Sequence, residues 1–315
     1  MIYSYPIIGR FGLGHGLLAW ARSIVWANKV GAKPIAPNWV QPRIGPILRN
    51  ERDKRLYFLL FGSGNQIGGV QRLRLLAGAP RFSAQGDIAT ISHLHDDFPM
   101  PDMLPPDGGI MMFANSPSRN EDKFFHQISG NSDLIRTELL AMTRARYRPP
   151  VAVRPHIALH VRGGDFGMAQ SAEQLRSGVH NLRLPNQWYA QILAGFRKML
   201  GEDVDAIIYS DCTDADLVDL LLLPNVSRAP RQQSITDLLS MGQAAALISS
   251  GSGFSRWGSF LGQVPRICFP GQRGVRVIGA SSSDDASDWE PECETPLDIP
   301  AAFSELAAQR LGMKS

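Results

Sequence analysis

The segment IALHVRGGDFG, Ile157 to Gly167, ends a short apolar run with one arginine, two glycines and an aspartate. The apolar run predicts a buried strand and the glycines with Asp165 predict a turn. A turn has use for Gly and Asp, but not for Arg162 two places after His160. At the carboxyl end of a parallel strand, Arg162 would point its fork into the crevice where such sheets bind ligands. A guanidinium suits a diphosphate, because it donates two parallel hydrogen bonds and never loses its charge. The competing use is a structural salt bridge, with Asp165 as the nearest partner in sequence. Two other turns, GRFGLGHG from Gly9 and SSGSGFS from Ser249, each follow a predicted strand and precede a predicted helix. Each can turn backbone N–H groups toward an anion at the positive end of a helix, and each can equally be a tight loop.

Other chemically suggestive groups have simpler readings. HLHDD, His93 to Asp97, contains metal-binding residue types, but no HExxH or further spaced histidines accompany it, so it reads as a surface loop. Asp214-Ala-Asp216 follows the strand-like AIIYSD; an Asp-x-Asp can hold a divalent metal and a sugar nucleotide. Here it opens DADLVDLLLL, where Asp214 or Thr213 serves as a helix N-cap. FGSGNQIGG, Phe61 to Gly69, is glycine-rich without a long amphipathic helix behind it. No GxSxG, P-loop lysine or Cys–His pairing is present.

The elements that must hold these residues fall into two parts. In the first, Ile2 to Ile8 predicts a strand, and Leu17, Leu18, Ala21, Ile24 and Val25 recur at helical spacing up to Gly31. RLYFLLFG predicts a buried strand, and FPMPDMLPPDGG a loop. RARYRPPVAVRPH interrupts regular structure with Pro149, Pro150 and Pro155, which places a boundary between domains of residues 1–150 and 151–315. Beyond it, strands and helices alternate: HIALHV, PNQWYAQILAGFRKML (Trp188, Ile192, Phe196 and Met199 on one side), DAIIYSD, DADLVDLLLL, SITDLLSMGQAA, ALISS, GFSRWGSFLG and VPRICFPG. GASSSDDASDWEPE reads as loop, and PAAFSELAAQRLG as a closing helix that can return to the first domain. This alternation argues for an α/β fold with a parallel, doubly wound sheet.

Composition bounds the function classes. The chain has 315 residues, 44% hydrophobic and 19% charged, with 22 prolines, 30 glycines and a net charge of +3. These are globular values, and the charge is too small for a nucleic-acid binder. Arginines cluster at 43 and 49, at 52 and 55, and at 144, 146 and 148, so a basic face for anionic lipid or a phosphorylated substrate remains open. Cys212, Cys268 and Cys293 are far apart, without a CxxC pair, which fits a reducing compartment. No charged-then-apolar leader and no run near ~18 apolar residues is present. The expectation is a cytoplasmic protein, at most peripheral on a membrane.

Three segments together resemble the fucosyltransferase superfamily of α-1,2-, α-1,6- and protein O-fucosyltransferases. GRFGLGHGLLAWA, Gly9 to Ala21, is similar to the family's G-x-x-G-N-Q turn and helix. HVRGGDF, His160 to Phe166, resembles its H-x-R-R-G-D-Y-like motif. DLLSMGQAAALISSGSGFSRWGSFL, Asp237 to Leu261, resembles the α-1,2 pattern of D-x-x-x-M-S followed by N-S-S-F-S-W-W-G, and is the most specific of the three. Residues 40 to 145 show no match.

The resemblance implies a GT-B fold, two Rossmann-like domains facing a cleft, with GDP-fucose held by the second. By position, His160 and Asp237 would contact guanosine, Arg162 the pyrophosphate and Ser252 a phosphate oxygen, within a donor loop that includes Gly163, Gly253, Phe254 and Ser255. Gly12, Gly14 and His15 would line the cleft from the first domain. It implies inversion at the anomeric centre, no metal and no cofactor beyond the GDP-sugar donor, with a glycan or glycolipid acceptor. Four departures stand out. Gly163 occupies the place of a second arginine in the α-1,2 and α-1,6 branches. His15-Gly16 replaces Asn-Gln, Arg256 replaces the first Trp of a pair, and Gln170 stands where the α-1,6 branch has a glutamate base. A neutral amide is not a base, so Asp165, then His15 and Glu173, are the candidates, or the reaction proceeds without one. Another nucleotide-sugar donor, or a non-catalytic nucleotide- or glycan-binding module, are the competing functions.

Overall fold

The computed structural model describes residues 1–9, 12–40, 56–84, 103–114, 121–152, 154–164, 166–179, 181–201, 203–274, 276–278, 287–293 and 299–313. Asp165, His93 to Asp97 and the arginines at 43, 49, 52 and 55 lie outside them. The chain divides into two compact units, Met1–Arg148 with Gln233–Ile235, and Pro149–Gln232 with Thr236–Ser315.

The first unit carries a four-stranded parallel sheet of β1 (Tyr3–Ile7), β2 (Lys33–Pro34), β3 (Arg81–Ser83) and β4 (Ile110–Ala114), in the order β2-β1-β4-β3. The helix Leu13–Val30 follows β1 and buries Leu17, Leu18, Ala21, Ile24 and Val25 at the predicted spacing. It ends at Gly31, whose φ of 68° is the left-handed cap that glycine takes without strain. RLYFLLFG is not the predicted strand: Tyr57–Leu59 form a 3₁₀ turn. Burial falls on Tyr57, Leu60 and Phe61, while Phe58 and Leu59 are exposed. That is the spacing of a helical turn, and a short apolar run does not distinguish it from a strand. A ten-residue helix, Gly69–Gly78, follows FGSGNQIGG with no fully buried residue.

The second unit is built on six parallel strands: β5 (Ile157–Val161), β8 (Ala206–Ser210), β9 (Val226–Arg228), β10 (Ala246–Ser249), β11 (Arg266–Cys268) and β12 (Asp288–Trp289). A separate parallel pair, β6 (Gly167–Met168) and β7 (Leu182–Arg183), lies between β5 and β8 in sequence. The order β12-β11-β10-β5-β8-β9 reverses direction between β5 and β10. The strands alternate between two buried faces. Ile157, Leu159, Val161, Ala206, Ile208, Ala246 and Ile248 pack with Trp188, Ile192 and Phe196 of the helix Asn186–Leu200 and with Phe303 of the helix Ala301–Leu311. Ala158, Tyr209 and Leu247 pack on the other side with Met241 of the helix Ser234–Met241 and Phe254 of the helix Gly253–Gly262. Helices on both faces make this a doubly wound α/β unit.

The closing helix lies in the second unit, where Phe303 meets Phe196 at 6.0 Å between ring centroids. Two local expectations change. Met199 is exposed, and Tyr189 and Leu193 fill the buried stripe instead. Part of the loop-like GASSSDDASDWEPE is strand: Asp288 and Trp289 pair with Arg266 and Ile267. Asp288 is drawn in by Arg266, which it meets at 2.6 Å and 3.0 Å, both residues 1% exposed.

Candidate functional site

The second unit brings the end of β5 beside the loop after β10, at the reversal of strand order. Open parallel sheets bind ligands outside the carboxyl ends of their strands at such a point. His160 lies on the β5 face shared with Tyr209 and Phe254. Its Nδ1 is 2.7 Å from Ser250 Oγ and 3.4 Å from Ser252 Oγ, and its ring stands 5.5 Å from that of Phe254. The Tyr189 hydroxyl donates to the His160 carbonyl at 3.0 Å. Burial, helped by the Arg162 charge, lowers the His160 pKa to about 4. The imidazole is therefore neutral at pH 7, fit for hydrogen bonding rather than for charge.

The serine loop is held by its own side chains. Ser249 and Ser255 are almost fully buried; Ser255 donates to the carbonyls of Ser250 and Ser252 at 2.9 Å, and Ser249 to Ser255 at 2.9 Å. Ser255 thus shapes the loop from behind, while Ser252 occupies the N-cap position of the helix that begins at Gly253. A Cβ on Gly251 would overlap the buried Gln272 side chain, which itself donates to the Leu175 carbonyl at 2.6 Å and the Val179 carbonyl at 3.1 Å. Gln272 carries no sequence signal beyond a turn, and its role emerges only in space.

Arg162 forms a salt bridge with Asp211, the residue that follows β8. Val161 pairs with Ser210, so the partners are the next residue on each of two adjacent strands. The second Asp211 oxygen accepts from Gly163 N at 2.9 Å, which fixes the turn. The Arg162 side chain stays 32% exposed, so the pairing orients its fork without removing it from solvent. A Cβ on Gly163 would overlap Cys212 Sγ, and one on Gly164, at φ 20°, would overlap the Asp211 carboxylate. These glycines exist because β8 ends against them.

The remaining residues have other surroundings. Asp237, 8% exposed, accepts from Gln232 Nε2 at 2.9 Å. Its charge, after burial, raises the Tyr209 phenol pKa. Asp214 pairs with Arg228, and Asp216 accepts from Thr213 N and Oγ1 at 2.9 Å and 2.6 Å. Thr213 Oγ1 accepts in return from Asp216 N at 3.2 Å, so Thr213 is the capping residue of this pair. Gln170 and Glu173 are exposed. Arg256 is buried, 4% exposed, and does not face solvent. In the first unit, Gly12 caps the helix Leu13–Val30 without a side-chain bond, and Gly14 and His15 lie in its half-buried first turn. Among the described residues, no group of three or more His, Cys, Asp or Glu is placed to hold a metal ion, and no helix is long and apolar enough to cross a membrane.

No family model matches the chain, and no curated protein matches it in sequence. Solved structures do align with it. The fucosyltransferase NodZ from Bradyrhizobium is 16% identical over 85% of this chain and 94% of its own, with a TM-score of 0.43. POFUT1 in complex with GDP is 14% identical over 85% and 96%, with a TM-score of 0.38. A mutant of Arabidopsis thaliana FUT1 in complex with GDP is 12% identical over 85% and 70%, with a TM-score of 0.46. Likeness at this level transfers neither activity nor residue roles.

Proposed function

We propose that the chain is a glycosyltransferase that moves L-fucose from GDP-fucose to a glycan hydroxyl, with inversion and without a metal, in surface polysaccharide or glycolipid synthesis. The observation that carries the reading is the meeting of the His160–Arg162 strand end with the Ser250–Ser252 loop at the strand-order reversal, since these are two of the three segments that resemble the superfamily. In this reading Arg162, oriented by Asp211, stabilises the departing GDP. The bond from the anomeric carbon to the β-phosphate oxygen breaks, and the acceptor oxygen bonds to that carbon from the opposite face. The acceptor proton goes to a base, Asp165 or His15, or to solvent. His160 is a neutral partner for the nucleotide, with Phe254 beside it.

The test is ligand-dependent melting with GDP-fucose, GDP-mannose and UDP-sugars, followed by GDP release in EDTA. GDP-fucose is expected to raise the melting temperature most and to turn over. Arg162→Ala is expected to lower kcat about 10²–10³-fold, the usual loss for one transition-state donor. Stabilisation by UDP-sugars alone, or near-full activity of Arg162→Ala, overturns the reading.

A further inference from the structure

Arg183, at the end of β7, lays its guanidinium against the same loop as Arg162. Its Nε donates to the Phe166 carbonyl at 3.1 Å, and its Cζ would stand 3.6 Å from a Cβ built on Gly163. Arg162 Cζ lies 5.3 Å from the Phe166 ring centroid, so the two arginines share the Gly163–Phe166 turn. Gly163 itself admits no side chain, because Cys212 Sγ fills that space. A cation beside this position must come from another strand, and Arg183 supplies it.

Charge accounting favours the same residue. Arg162 is opposed by Asp211, so that pair brings no net charge to a ligand carrying more than one negative charge. Arg228 is engaged by Asp214 and by the carbonyls of Ser210 and Cys212. Arg256 is buried. Among the described residues, the nearest carboxylate oxygen to Arg183 is Asp216 Oδ1 at 4.0 Å, and the other oxygen of that group already accepts two bonds from Thr213. Its side chain is 33% exposed, so the guanidinium remains accessible to solvent. We propose that Arg183 is a second phosphate-binding cation, gripping with Arg162 the diphosphate of the nucleotide donor. This rests on the nucleotide-sugar reading above.

The test titrates GDP and GMP into wild type, Arg183→Gln and Arg183→Lys over a range of salt. Arg183→Gln is expected to weaken GDP about 10- to 100-fold, as for loss of a charged hydrogen-bond donor. GMP should weaken much less, so discrimination between the two nucleotides shrinks, and GDP binding should become less salt-dependent. Arg183→Lys, which keeps the charge and loses the fork, should fall between the other two. Unchanged GDP-to-GMP discrimination in Arg183→Gln, or Arg183→Lys as impaired as Arg183→Gln, overturns the proposal alone. Failure of the wild-type chain to bind GDP overturns the nucleotide reading, and this inference with it.

Discussion

His160 illustrates how burial selects a chemical role. An exposed histidine titrates near 6.5, but this one sits against two serines and a phenyl ring with a guanidinium two residues away, and its pKa falls to about 4. The folded state therefore holds neutral histidine over a range where the unfolded chain takes up a proton. Above about pH 6.5 both states are neutral and the group contributes nothing to pH dependence. As pH falls from there toward 4 the unfolded state is favoured, by about 3 kcal/mol at the end of the window. Urea unfolding of wild type and His160→Gln at pH 7 and pH 4.5 checks this. Wild type should lose more stability than the variant on acidification; equal losses would mean that His160 is not held neutral. His156, whose pKa burial also lowers, acts in the same direction and is common to both proteins.

At the scale of elements, the edge of the six-stranded sheet depends on one buried ion pair. Arg266 and Asp288 join β11 to β12 through two bonds, and Asp288 also accepts from Val277 N at 3.1 Å. Removing one partner leaves a buried charge uncompensated. Asp288→Ala should cost about 3–5 kcal/mol, while Arg266→Met with Asp288→Leu should restore most of it. Thermal or denaturant unfolding measures both; a mild effect of Asp288→Ala would show that the aspartate is not needed to hold the edge. Periodicity exposed the central strands and the helices Leu13–Val30, Asn186–Leu200 and Gly253–Gly262, because their apolar residues recur at the spacing of their own backbone. It missed β12 because a two-residue edge strand containing an aspartate has no periodicity to read. It misread RLYFLLFG for the opposite reason, since continuous apolarity is compatible with either geometry.

For the whole molecule, the reversal of strand order places the ends of β5 and β10, about 90 residues apart, at one point. Hydrogen exchange with and without GDP should show protection concentrated in peptides covering residues 157–164 and 249–255. Protection spread evenly over the second unit, sparing neither face of the sheet, would argue for general tightening rather than a ligand at the reversal. Ligand binding to the folded state must stabilise it, so the same samples should melt higher.

The amino-acid sequence alone determined the α/β alternation of the second half, the helix after the first glycine turn, and Arg162 as a charged group at a strand end. Those features depend on near neighbours: backbone periodicity, glycine and proline conformations, and residue type. Only the tertiary structure decided that Arg162 pairs with Asp211, 49 residues away. The same holds for Cys212 excluding a side chain at Gly163, Gln272 filling the space at Gly251, and Arg183 reaching the turn from β7. Parallel strands are joined by long crossovers, so residues that meet at their ends have no characteristic spacing in the chain. Their partnership is set by sheet order and register.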